Sequence, residues 1–108
     1  MQTFVMLTRL SPEAVRSPQA FETLERQAME GIRAECPQVQ WLHSWAILGP
    51  HDYLDVFRAP DIATATKVAM LVRIAGHAET EVWGATEWPA FQELTRSLPE
   101  VAGLVSLR

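Results

Sequence analysis

Cysteine occurs once in the 108 residues, at Cys36. No intrachain disulfide can form, and nothing points to an oxidising compartment. Basic charge is scarce too: 9 Lys and Arg face 13 Asp and Glu, for a formal charge of −4. Without a Lys/Arg cluster the chain lacks the electrostatic footprint of a nucleic-acid binder, and anionic lipid would repel it. No apolar run approaches membrane-spanning length, and "MQTFVMLTRL" at the start is too short and too mixed for a signal peptide. The expectation is a cytoplasmic protein with no membrane or nucleic-acid partner. Glycine is also sparse, with 5 residues and none in a phosphate loop, a dinucleotide fingerprint or a Gly-x-Ser-x-Gly elbow. The histidines at 43, 51 and 77 show no HxH or HxxxH spacing. With one cysteine a structural zinc site is not expected, and no metal or cofactor is implied.

What is present is an ordinary globular composition, 48% hydrophobic and 20% charged, in a length suited to one domain over residues 1–108. Residues 3–9, "TFVMLTR", read as a first strand. Ser17-Pro18 starts a helix with Phe21, Leu24, Ala28 and Ile32 on one face and Glu22, Glu25, Arg26 and Glu30 elsewhere, ended by Cys36-Pro37. Strands follow at 39–48 and 53–58, joined by a turn at 49–52. Asp61 caps a second helix to about Ala75, stopped at Gly76. Residues 78–87 form a fourth strand in which Gly84 marks a weak point or a bulge. Trp88-Pro89 opens a short third helix with Phe91, Leu94 and Leu98 on one side, and the last nine residues read as an apolar tail. The order β-α-β-β-α-β plus a C-terminal helix predicts an α+β, ferredoxin-like fold with a four-stranded antiparallel sheet.

Two helices cover only one face of such a sheet. A hairpin symmetric about Pro50-His51 would pair Leu48 with Tyr53, Ala46 with Asp55 and Ser44 with Phe57 on one face. Trp41, His43, Trp45 and Ile47 would then share the other face with Leu54, Val56 and Arg58, and a one-residue bulge would exchange assignments. Both faces carry more apolar surface than a solvated sheet exposes, which predicts a homo-oligomer, a dimer or larger.

The segments "FVMLTRL", "WAILGPHDYLDVFRAPD" and "GHAETEVWGATEW" resemble those of the GYD-domain family, small bacterial proteins named for a Gly-x-Tyr-Asp-like turn. Gly49, Asp52, Ala59, Pro60 and Asp61 match that pattern, as do Thr8-Arg9 and Thr80-Glu81, while His51 stands in the tyrosine's place. The resemblance implies the dimeric α/β-barrel superfamily, which holds cofactor-free monooxygenases, lactone isomerases, haem-dependent enzymes and binding modules. It sharpens the fold and leaves the function open.

Three residues are candidates for chemistry. His51 adjoins Asp52, and such a pair can orient an imidazole as base, although Asp52 also suits ordinary turn chemistry with His51 facing water. Asp55 lies in mid-strand, where a carboxylate needs a wet cavity, a cation or an interface. His43 sits between Trp41 and Trp45, either in a ligand pocket or as a partly buried histidine bonded to backbone. The expected site is a pocket on the open sheet face for an apolar or aromatic small molecule. His43, Asp55 and His51 are its candidate catalytic groups, and Trp41, Trp45, Tyr53, Phe57 and Trp83 its ligand-binding wall. One alternative is a cofactor-free monooxygenase or isomerase using a His/Asp pair. Another is a non-catalytic oligomeric scaffold or sensor, and a third is a haem site using His43 or His77.

Overall fold

A computed structural model describes residues 1–76 and 78–99. The elements are β1 (Gln2–Arg9), α1 (Pro18–Glu35), β2 (Gln40–Ala46), β3 (Tyr53–Ala59), α2 (Ile62–Gly76), β4 (Glu79–Ala85) and α3 (Trp88–Ser97). The order is the expected one. His77 and the apolar tail read at 100–108 lie outside the described residues.

Local chemistry sets the helix ends. The Ser17 hydroxyl accepts from the Ala20 amide at 3.0 Å with Pro18 in the first turn, and the Cys36 amide closes α1 on the Ile32 carbonyl at 2.8 Å. At α2 the Asp61 carboxylate accepts from the Thr64 amide at 2.8 Å and the Thr64 hydroxyl at 2.7 Å. Those bonds hold its carboxyl below the usual range.

The strands form one antiparallel sheet in the order β2-β3-β1-β4. On the helix side three cross-strand rows stand together: Trp41·Phe57·Phe4·Gly84, Ser44·Asp55·Met6·Val82 and Ala46·Tyr53·Thr8·Thr80. Phe4, Met6 and Phe57 meet Ala28 and Ile32 of α1 and Ala65, Val68 and Val72 of α2 in the core. The opposite face has no helix across it. Its rows are His43·Val56·Val5·Trp83 and Trp45·Leu54·Leu7·Glu81.

The hairpin differs from expectation in two ways. Ala46, not Leu48, pairs with Tyr53, because the turn is wider: it spans residues 47–52, and Leu48 is fully exposed. A two-residue slip keeps every side chain on its face but sets Ser44, not Ala46, opposite Asp55. The bulge lies at Leu42, between Trp41 and His43, and not at Gly84, which pairs with Phe4 in regular register. One extra residue moves Trp41 onto the helix face, away from His43 and Trp45. Gly49 has a φ of 139°, a conformation that needs glycine at the head of the turn.

Helix α3 stands apart. None of its residues is buried, and Trp88, Phe91, Leu94 and Leu98 form an exposed apolar stripe. Its start is tied to the sheet by Glu87, whose carboxylate accepts from the Thr3 hydroxyl at 3.2 Å and from the Arg58 guanidinium.

Candidate functional site

Helix α1 packs mainly on α2 and stands off the β2–β3 half of the sheet. The gap is a cleft of about 450 Å³, within the range of small-molecule sites. Phe21, Glu25, Met29 and Arg33 face it from α1, each one helical repeat of four from the next. Trp41, Ser44, Ala46, Tyr53 and Asp55 face it from the sheet, with Met6 and Val72 behind. Glu25 and Arg33 make no ion pair among the described residues.

The floor is polar and ordered. The Trp41 indole Nε1 donates to the Ser44 hydroxyl at 2.8 Å, and that hydroxyl donates to Asp55 Oδ1 at 2.6 Å. Indole nitrogen can only donate, so the direction of this chain is fixed. The Leu42 bulge makes it possible, because residues 41 and 44 would face opposite ways in a regular strand. Asp55 is 4% exposed. Burial pushes its carboxyl up, against the lowering effect of the Ser44 and Trp41 donors, and the Glu25 charge adds to the rise. Burial likewise pushes the Tyr53 hydroxyl up to about 12, with the nearby Asp55 charge in the same direction.

That environment has a consequence for stability. A folded-state pKa above the unfolded value means that folded protein holds the Asp55 proton more tightly. Stability therefore falls as pH rises from the ordinary aspartate range, roughly 4, through the raised folded value. Asp55→Asn removes this dependence. Urea midpoints measured from pH 4 to 8 should show the variant gaining on wild type across that window and a constant difference between the two above it. Parallel curves would show that Asp55 does not titrate differently on folding.

The sequence candidates divide between the two faces. Trp41, Tyr53 and Asp55 meet in the cleft, Trp45 borders it, and Phe57 lies fully buried behind Trp41 with ring centroids 5.3 Å apart. His43 and Trp83 are on the open face, where His43 stacks on Trp45 at 5.0 Å. The cavity thus lies on the helix side, not on the open face, and His43 cannot partner Asp55 through the sheet. His51 does not pair with Asp52 or face water: its Nε2 lies 2.7 Å from Glu81 Oε2, with a side chain 20% exposed. Asp52 instead accepts from the Leu10 amide at 2.7 Å, while its own amide donates to the Thr8 carbonyl at 2.8 Å. Sequence reading missed Ser44, Glu25 and Arg33. The spacing 21-25-29-33 was the available signal for the α1 wall.

Among the described residues no group of three or more His, Cys, Asp or Glu could hold a metal ion, and no helix is long and apolar enough to cross a membrane. The model of the GYD domain matches residues 4–95. Several solved structures are similar in fold. Muconolactone isomerase superposes with a TM-score of 0.56 at 19% identity, covering 82% of this chain and 92% of that one. The protein TTHA0845 from Thermus thermophilus gives 0.53 at 21% identity, covering 81% and 95%. The Mycobacterium tuberculosis leucine response regulatory protein LrpA gives 0.52 at 8% identity, covering 80% of this chain and 51% of its own length. No curated protein matches the chain.

Proposed function

We propose, from the premise that this chain belongs to the GYD-domain family, that it binds an apolar or aromatic small molecule in the cleft between α1 and the β2–β3 half of the sheet. The observation that carries this reading is the Trp41–Ser44–Asp55 chain at the floor of a cavity walled mainly by apolar and aromatic side chains, with Glu25 and Arg33 on its α1 side. A buried carboxyl is costly without partners, and a cleft that keeps one at its floor is shaped for polar recognition inside an apolar envelope. The aromatic wall, Trp41 backed by Phe57, suits a flat ring. The muconolactone isomerase likeness shows the fold alone and adds no substrate.

Titration with 2-naphthol, followed by tryptophan fluorescence and calorimetry, tests it. Binding should saturate at one ligand per chain. Ala46→Phe, which fills the cleft mouth opposite Tyr53, should weaken it by roughly tenfold or more, about 1.4 kcal/mol. Binding indifferent to that change would place the ligand elsewhere and sink the proposal.

A second property rests on a different observation. Trp45 and Trp83 are 52% and 54% exposed on a sheet face that also carries the half-buried Val5, Leu54 and Val56, with Leu7 already buried among them. We propose that a second copy of the chain covers this face, making the protein a homo-oligomer.

A further inference from the structure

We infer that the cleft is a proton-transfer site for an enolisable carbonyl compound, with Asp55 moving the proton, Tyr53 holding the carbonyl oxygen and Ser44 acting as a positioning residue. The inference deepens the binding proposal and rests on it.

Geometry comes first. Asp55 and Tyr53 are two residues apart on β3 and line the same cleft, so their backbones are separated by about 7 Å. Both side chains open on that one cleft, so a ligand there can set a carbonyl oxygen beside one group and its α-carbon beside the other. Ser44 occupies Asp55 Oδ1, whereas Oδ2 accepts no hydrogen bond among the described residues and is left for a ligand. Because Trp41 fixes the Ser44 proton towards Oδ1, the carboxyl is held in one orientation.

The chemistry then balances without any other reactant. The Asp55 carboxylate takes the α-proton, and the C–H pair becomes the C=C bond of an enolate. The carbonyl π pair moves to oxygen, where the Tyr53 hydroxyl donates to it. The protonated Asp55 returns the proton to carbon, at the same position or at a conjugated one. Nothing is oxidised or reduced. Burial makes Asp55 a stronger base than an ordinary aspartate, and keeps Tyr53 a neutral donor across the working pH range. The other charged groups facing the cleft are Glu25 and Arg33, both on α1; Met6 of β1 and Val72 of α2 contribute none.

The probe is 2-tetralone, a bicyclic enolisable ketone. Loss of its α-proton signals in deuterated buffer is followed by NMR, and its binding by tryptophan fluorescence. Wild type should accelerate exchange, and Asp55→Asn should reduce the catalysed rate by roughly 100-fold or more while still binding. Tyr53→Phe should slow exchange by about tenfold. Ser44→Ala removes a donor to the carboxylate, so the rising limb of the pH–rate profile should move to higher pH with KM within about twofold. A purely structural role for Ser44 would lower the rate at every pH and leave the limb in place. Circular dichroism on each variant confirms that it is folded. Saturable binding with an exchange rate no faster than that of Asp55→Asn overturns the proton-transfer role alone. Absence of saturable 2-tetralone binding overturns this inference, whereas the 2-naphthol titration decides the binding proposal separately.

Discussion

Replacing Phe57 with alanine should cost about 3–5 kcal/mol of unfolding free energy, the usual range for deleting a buried aromatic ring. Phe57 is completely buried on the central strand β3. It stacks on Phe4 at 5.7 Å and on Trp41 at 5.3 Å, so it is the middle ring of a three-ring row across β2, β3 and β1. Alanine leaves a cavity that neither neighbour can fill, because both rings are held by their own strands. Domains of this kind have roughly 5–15 kcal/mol in total, so the variant should be near the edge of folding at 37 °C. Urea unfolding followed by circular dichroism, at one fixed protein concentration, measures the loss. Phe57→Leu should recover most of it, since the larger side chain keeps apolar volume in the row. A cost below about 1.5 kcal/mol for alanine would mean that the row collapses around the gap and that Trp41 is not fixed by it. The site shares this dependence: Trp41 is the first donor in the chain to Asp55, so Phe57→Ala should also weaken ligand binding at concentrations of urea where the protein is still folded.

Much of this architecture is legible in the sequence because its signals are local. Ser17-Pro18, Asp61 and Cys36-Pro37 mark helix ends through side-chain caps and proline sterics, and the structure uses each in that way. Strand positions follow from β-branched and aromatic runs. The site is less legible because it depends on pairing between strands. Whether Trp41 lies beside His43 or beside Asp55 is decided by a single extra residue at Leu42, and no side chain there announces a bulge. The hairpin slip of two residues has the same character: Gly49 marks a turn, but not its width. His51 and Asp52 adjoin in sequence, yet the sheet carries His51 to Glu81 of β4 and Asp52 to Leu10 after β1. Adjacent residues suggested a pair, and longer-range pairing supplied other partners. Asp55 stands out in the sequence, because a carboxylate inside an apolar strand has few low-energy explanations. Its partner Ser44 does not, because a tight hairpin would set Ala46 opposite Asp55 and only the wider turn brings Ser44 there.

Charge placed on the open sheet face should dissociate the proposed homo-oligomer. Trp83 ends the row His43·Val56·Val5·Trp83, and Trp45 begins the row Trp45·Leu54·Leu7·Glu81. Together they bracket the four aliphatic residues at its centre. Charged pairs lie around that apolar centre: Glu81 with His51, Arg9 with Glu79, and Glu87 with Arg58. An apolar core within a polar rim is the anatomy of an interface. Burying a glutamate at either tryptophan position would desolvate a carboxylate, a cost of several kcal/mol. Trp45→Glu/Trp83→Glu should therefore weaken self-association by at least roughly 100-fold, about 2.8 kcal/mol. Sedimentation velocity over a range of concentrations reads this directly. The circular dichroism spectrum should stay close to wild type, because both side chains are half exposed and the core lies on the other face. Trp45→Phe keeps the apolar contact and should leave the sedimentation coefficient unchanged. A wild-type protein that sediments as a monomer at high concentration would refute the shared face outright. An oligomer indifferent to both glutamates would move the interface to another exposed apolar stripe, that of α3 or that of Ile62, Met70 and Ile74 on α2.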